Sequence, residues 1–262
     1  MLLYPISIII SIGVIWMDEN INDLIRKFNN INKMGYVKSI NNNINGGGLT
    51  FEHLLGKNED NFSFADYKGI ELKTKIVNSS SDIHLFSLSP EGLDFFESRR
   101  LWQKYGHPGI KNKNSKNLNN TIIAGKLVNV GINNYFSLNV NYKFSKIILE
   151  IYNKEKVLLE NYSYWNFSRI ESVLKWKINY LALIKVYVKN LHGIRYYKYS
   201  EIRVYKLKSF DNFIKLIEFG KITISFHISK TNINDLNTKV HDRGTVFSIS
   251  EDDLEYLYDR IY

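Results

Sequence analysis

The sequence contains no cysteine. Disulfides and cysteine-ligated zinc are therefore excluded, and a reducing cytoplasm is the natural compartment. There is no internal repeat and no long low-complexity linker, which excludes a solenoid or a string of modules. The histidines at 53, 84, 107, 192 and 227 share no metal-ligand spacing, and no chemistry is assigned to them. Acidic residues are missing from one long stretch: between Ser98 and Leu149 there is no Asp or Glu, while Arg99, Arg100, Lys104 and six further lysines fall there. Those nine charges equal the net charge of +9 for the whole chain. A solvated basic loop explains such a stretch blandly; a surface that neutralises phosphates explains it functionally.

A long apolar span is also lacking. Leu2 to Trp16 is almost wholly apolar, but a membrane helix needs roughly 20 such residues. The segment has no basic start and no small-residue cleavage site, so it does not read as a signal peptide. Residues 1–16 read as an apolar leader, with translation expected to begin at Met17, and no membrane association is expected.

What remains is an ordinary globular balance of 44 % hydrophobic and 23 % charged residues. The length of 262 residues suits one large domain or two small lobes. Asp18 is a helix cap for an apolar stripe at Ile21, Leu24, Ile25, Phe28 and Ile31. Asn41 to Gly48 reads as a turn-rich break, and Thr50 as the cap of a short helix through Leu55. Phe62 to Val77 reads as a hairpin turning at Lys68-Gly69. Arg99 to Asn120 reads as irregular and exposed. Ile147 to Leu159 is a second hairpin. Ser168 opens a helix, Tyr180–Val188 and Tyr196–Tyr205 are strands around His192-Gly193, and Ser209–Phe219 is a helix closed by Gly220. Lys221–Ile228 and Val246–Ile249 are strands, and Asp252–Ile261 is a terminal helix. The irregular alternation predicts an α/β (α+β) fold, a mixed sheet flanked by helices.

The chemistry concentrates in Ala65-Asp66-Tyr67-Lys68-Gly69-Ile70-Glu71-Leu72-Lys73. Glu71 and Lys73 share one strand face because side chains alternate with period two. Asp66, across the tight turn, can approach Glu71. Two carboxylates and the carbonyl after Glu71 suit Mg²⁺, a hard cation that keeps several waters. Such a cation polarises a scissile phosphate, and Lys73 can offset developing charge or orient water. By itself the string is short and also fits a solvated strand with an ion pair.

The flanks decide between these. Gly48-Leu49-Thr50-Phe51-Glu52-His53-Leu54-Leu55, followed by Asp66 and Glu71-x-Lys73, resembles the MvaI/BcnI restriction endonucleases, relatives of the MutH mismatch-repair nickase. The resemblance continues through Tyr164-Trp165-Asn166-Phe167, Tyr196-Tyr197-Lys198-Tyr199 and His241-Asp242-Arg243-Gly244-Thr245-Val246-Phe247. It implies a MutH-like, PD-(D/E)XK-type fold with two lobes around a DNA cleft. The lobes are expected near 17–145 (catalytic) and 146–262 (recognition). It maps the catalytic set onto Glu52, Asp66, Glu71 and Lys73, with Asp66 and Glu71 as metal ligands. It places His241, Asp242 and Arg243 at the bases, where Arg can bond guanine and Asp can accept from cytosine. Arg99, Arg100 and Lys104 are the phosphate-contact candidates.

Three positions depart from the family pattern: Ala65 for a proline, Arg243 for a second histidine, and Ser225 for an arginine. The first touches only the stiffness of a turn; the other two touch base recognition. The implied function is a monomeric, Mg²⁺-dependent type II restriction endonuclease, with Mn²⁺ able to substitute. It would cut double-stranded DNA at a short G·C-containing site by sequential nicking, beside a cognate DNA methyltransferase. The alternatives are a strand-specific repair nickase and a catalytically inactive DNA-binding module.

Overall fold

A computed structural model describes residues 6–41, 43, 45–56, 65–235 and 237–262, and for 6–16 the backbone alone. In chain order the elements begin with α1 (Ile6–Lys33), β1 (Val37–Lys38), α2 (Gly46–Leu54), β2 (Glu71–Ile76), β3 (Ile83–Ser87) and α3 (Glu97–Tyr105). There follow β4 (His107–Pro108), β5 (Lys116–Leu118), β6 (Thr121–Ile122), β7 (Val128–Val130), β8 (Asn134–Asn141), β9 (Lys146–Asn153) and β10 (Leu158–Asn166). The chain ends with α4 (Phe167–Trp176), β11 (Tyr180–Leu191), β12 (Ile194–Leu207), α5 (Phe210–Glu218), β13 (Ile222–Lys230), β14 (His241–Ile249), a 3₁₀ turn (Glu251–Asp253), α6 (Leu254–Leu257) and β15 (Tyr258–Arg260). No helix among the described residues is long and apolar enough to cross a membrane.

These elements form two compact units, each built from separated stretches of chain. The first comprises Met1–Ser80, Lys175–Leu207 and Tyr258–Tyr262, the second Ser81–Leu174 and Lys208–Leu257. The expected division near residue 145 thus differs from the contact units. Strand pairing, which sequence order does not reveal, brings β2 and β11 together and assigns 175–207 to the first unit.

In the first unit a five-stranded sheet runs β1-β12-β11-β2, with β15 also on β12. β2 lies parallel to β11, with Glu71 opposite Leu181 and Lys73 opposite Leu183. One sheet face carries Leu72, Ala182, Ile184, Val186, Tyr197 and Tyr199. It packs on Leu24, Phe28 and Ile31 of α1 and Phe51 of α2 in one apolar core. The other face of β2 carries Glu71 and Lys73, as the period of two requires.

The second unit holds a four-stranded sheet, β10-β9-β8-β7, and a six-stranded one, β3-β14-β13-β5-β4, with β6 on β13. Trp165 of β10 meets Phe226 and Phe247 of the larger sheet. Its indole N–H donates to the Leu88 carbonyl at 2.8 Å, so the buried donor is satisfied. Phe213 of α5 stacks on Phe86 of β3.

Both later hairpins stand where they were expected; β11 and β12 turn at His192 and Gly193, both with positive φ. Ser209 caps α5, accepting from Asn212 N at 3.1 Å. Four expectations are corrected. Asp18 does not start a helix, because α1 already runs from Ile6. Gly46 to Gly48 are helical, so Thr50 lies inside α2; its hydroxyl accepts from Ile40 N instead of capping. Arg99 to Tyr105 form most of α3, not an irregular segment. The terminal helix is a 3₁₀ turn and a short helix, after which β15 pairs with β12. Phe62 to Phe64 of the first hairpin lie outside the described residues.

Candidate active site

The turn that joins Asp66 to β2 is built by its residues. Tyr67 and Ile70 exchange two backbone hydrogen bonds of 2.9 and 2.8 Å. Between them Lys68 and Gly69 have φ of 46° and 87°. Two successive positive φ values define the tight turn that suits the twist of paired strands, and glycine meets that demand at no steric cost. The turn brings Asp66 back over β2, where its Oδ2 accepts from Leu72 N at 3.1 Å. Leu72 lies between Glu71 and Lys73, so this bond fixes the Asp66 carboxylate beside both.

Glu71 is only 2 % exposed. Lys73 Nζ donates to its Oε1 at 2.7 Å. Its other oxygen, Oε2, is buried and has no hydrogen-bond partner. The Lys177 ammonium lies 3.4 Å from that oxygen, an ion pair without a hydrogen bond. Burial pushes the Glu71 carboxyl above its ordinary range. The charge of Lys73 pulls it back, the nearby Asp66 carboxylate adds to the rise, and Lys177 opposes it; the net direction is upward. A buried acceptor with spare capacity, next to a second carboxylate, is costly in water-free surroundings. It fits a divalent cation.

Glu52 comes from α2. A methyl group on Gly48 would lie 3.5 Å from Thr74 Oγ1 and 4.0 Å from Glu52 Oε1, which sets the carboxylate at the β2 side of the helix. The helix itself is held there by Tyr199, whose buried hydroxyl donates to the Gly47 carbonyl at 2.7 Å. Gly46 cannot be replaced: an added Cβ would meet the Asn41 carbonyl and Ser39 Oγ at 2.8 Å. Among the described residues, no group of three or more His, Asp or Glu side chains is set to hold a metal. Glu52 thus lies near Thr74 of β2. Lys177 is the site residue that the sequence did not reveal. It precedes β11, and only the parallel pairing with β2 brings it to Glu71.

The remaining candidates lie in the second unit. His241, Asp242 and Arg243 open β14, and all three are exposed. Asp242 Oδ1 accepts from Gly244 N at 2.8 Å, which fixes the bend into the strand. Burial, with the nearby His84 and Arg243 adding to it, holds His227 below its usual value. The expected phosphate-contact set is divided by the structure. Arg99 is exposed on α3. Arg100 instead bonds Glu97 and Glu160 at 2.6 and 2.7 Å, with only 17 % of its side chain exposed. Lys104 also pairs with Glu160. The acid-free stretch thus finds its acids outside its own limits, and Arg100 is an architectural residue.

The fold has known counterparts. The restriction endonuclease MvaI in complex with cognate DNA shares 26 % identity, covers 92 % of this chain and 97 % of its own, and superposes with a TM-score of 0.83. MvaI in the absence of DNA gives 27 %, 92 %, 96 % and 0.57. Among curated protein sequences, none matches the chain. The sequence signature of the MvaI/BcnI restriction endonucleases spans residues 25–258, taking in every candidate residue above, and on that match the chain belongs to the MvaI/BcnI restriction endonuclease family.

Proposed function

We propose that the chain is a type II restriction endonuclease that hydrolyses double-stranded DNA with Mg²⁺, using Asp66, Glu71 and Lys73, with Glu52 in support. The reading is carried by one observation. The Asp66 carboxylate is bonded to the amide between Glu71 and Lys73, and beside it Glu71 keeps a buried oxygen with no hydrogen bond. Asp66 and Glu71 would hold the cation, and two carboxylates with water in the remaining positions match Mg²⁺; Mn²⁺ can take the same oxygens. When bound, the cation supplies polarisation of the phosphate and acidification of water.

The chain's own groups do the rest. Lys73, held by Glu71 Oε1, presents an ammonium where negative charge grows on the phosphate and where a water needs orienting. The Asp66–Leu72 bond fixes the first carboxylate before substrate arrives. Burial of Glu71 excludes competing water from the carboxylate. Glu52, on the rigid α2, orients water at the β2 side.

His241, Asp242 and Arg243 are the proposed base readers, and a short G·C-containing site suits the pairing of Arg with guanine and Asp with cytosine. Arg99 is the phosphate contact kept from the expected basic set. The enzyme acts as a monomer in the cytoplasm, cutting the strands in sequence, with a cognate methyltransferase protecting the host site. Sequencing the ends of DNA digested with purified protein tests this. Defined ends at one recurring short sequence, with linear plasmid arising through a nicked form, are expected. Plasmid that stops at the open circle would indicate a nickase instead.

A further inference from the structure

The catalytic face of the first sheet does not end at Lys73. Along β11 the side chains on that face are Leu181, Leu183, Lys185, Tyr187 and Lys189, because the parallel register sets Leu181 and Leu183 opposite Glu71 and Lys73. Leu181 and Leu183 are fully buried, whereas Tyr187 and Lys189 are exposed. Across the hairpin, Lys198 lies opposite Tyr187 and Tyr196 opposite Lys189. Lys38 of β1 lies opposite Tyr196 on the same face. The Tyr36 ring sits under the Lys189 ammonium at 4.2 Å. The reverse face of the same strands is the apolar core, with Val186, Tyr197 and Tyr199. So one open sheet face interleaves Lys38, Lys189 and Lys198 with Tyr36, Tyr187 and Tyr196.

Residues 24–51 and 172–200 contain no Asp or Glu. Glu201, opposite Lys185 on this face, is paired with Arg203 at 2.6 Å. From Leu183, opposite Lys73, to Lys189 is six residues, or about 20 Å at roughly 3.3 Å per residue. A duplex strand carries a phosphate about every 3.4 Å, so the distance spans about six phosphates. Ring–cation contact holds a lysine head in place without neutralising it, which suits a fixed phosphate contact.

We propose that this face is an accessory DNA-backbone surface, extending the contact with duplex DNA about six base pairs beyond the scissile phosphate and reading no sequence. The inference rests on the nuclease reading above. It differs from the base-reading residues in kind, because lysines on phosphates add affinity and salt dependence but no specificity.

The test uses the full-length chain made silent by Asp66→Ala, a random-sequence 40-base-pair duplex in Ca²⁺, and binding measured across a salt series. Two derivatives are compared: K38Q/K189Q/K198Q, and K154Q/K156Q/K215Q, which removes the same charge from the second unit. Thermal unfolding of each establishes that it folds. The first derivative should lower the slope of log affinity against log salt by about two to three, since each phosphate contact contributes about 0.9. The control derivative should leave the slope nearly unchanged. Equal slopes for both derivatives would overturn the accessory surface while the nuclease reading stood. If the Asp66→Ala parent itself showed no salt-dependent binding, both readings would fall together.

Discussion

Two buried carboxylate clusters in this molecule resemble each other in composition and differ in how they are satisfied. In the second unit, burial pushes Glu97 and Glu160 up, but hydrogen bonds from Arg100, Ser163 and Lys104 outweigh it and hold both below the ordinary range. In the first unit, burial pushes Glu71 up, and the two nearby lysines do not bring it back. Glu97 binds Arg100 through both oxygens and also accepts from Ser163. Glu71 leaves Oε2 without a hydrogen bond. A buried charge met by fixed partners is architecture; one left short of partners stores a cost that a ligand can relieve. Local composition hides this difference, since both clusters are acids among lysines and arginines.

The contrast can be broken most decisively at the under-satisfied cluster. Asp66→Ala and Lys73→Ala should each lower single-turnover DNA cleavage by on the order of 10³-fold or more, measured on protein shown to be folded. Undiminished cutting by both would remove the functional half of the comparison. The mirror experiment is Arg100→Met. It strands Glu97 and Glu160 as buried charges, so denaturant unfolding should show a loss of about 3–5 kcal/mol, while the cleavage rate of the folded fraction stays within about twofold. A large catalytic loss with intact stability would return Arg100 to the DNA-contact set.

The two clusters also predict opposite responses to pH. Glu97 and Glu160 have lowered folded values, so their contribution is present above the ordinary carboxylate range and is lost as pH falls through those lowered values. Glu71 has a raised folded value, so its contribution is complete below the ordinary range and is lost as pH rises through the raised value. In metal-free buffer, the stability of Glu71→Gln relative to the native chain should therefore grow with pH, and that of Glu97→Gln should shrink. Parallel curves for the two variants would show that the clusters do not differ. The smallest effect is expected from Tyr199→Phe, which removes the bond to Gly47 that seats α2. It should cost about 1 kcal/mol in unfolding free energy, with cleavage reduced only slightly.

The sequence shows the part of the site that is local. Asp66, the Lys68-Gly69 turn, Glu71 and Lys73 lie within eight residues, and turn chemistry with strand alternation brings them together. The later hairpins and the capped α5 were legible for the same reason. What was hidden depends on distant pairing. Lys177 reaches Glu71 only through the parallel β2–β11 register. The role of Arg100 depends on Glu160, sixty residues on. The acid-free basic stretch drew attention to 98–149, yet the basic face on the first sheet is assembled from three separate strands, none of which is distinctive alone. Three consecutive glycines read as a break, but two of them are buried in α2 where a larger residue has no room at Gly46.

The most direct measurement is supercoiled-plasmid cleavage in Mg²⁺ by the native chain and by Glu71→Gln, both shown to be folded. The native chain should convert the plasmid to linear DNA through a nicked intermediate, and the Gln variant should leave it supercoiled over the same period. Cutting by the Gln variant at the native rate would contradict the assignment of that buried oxygen to the chemistry.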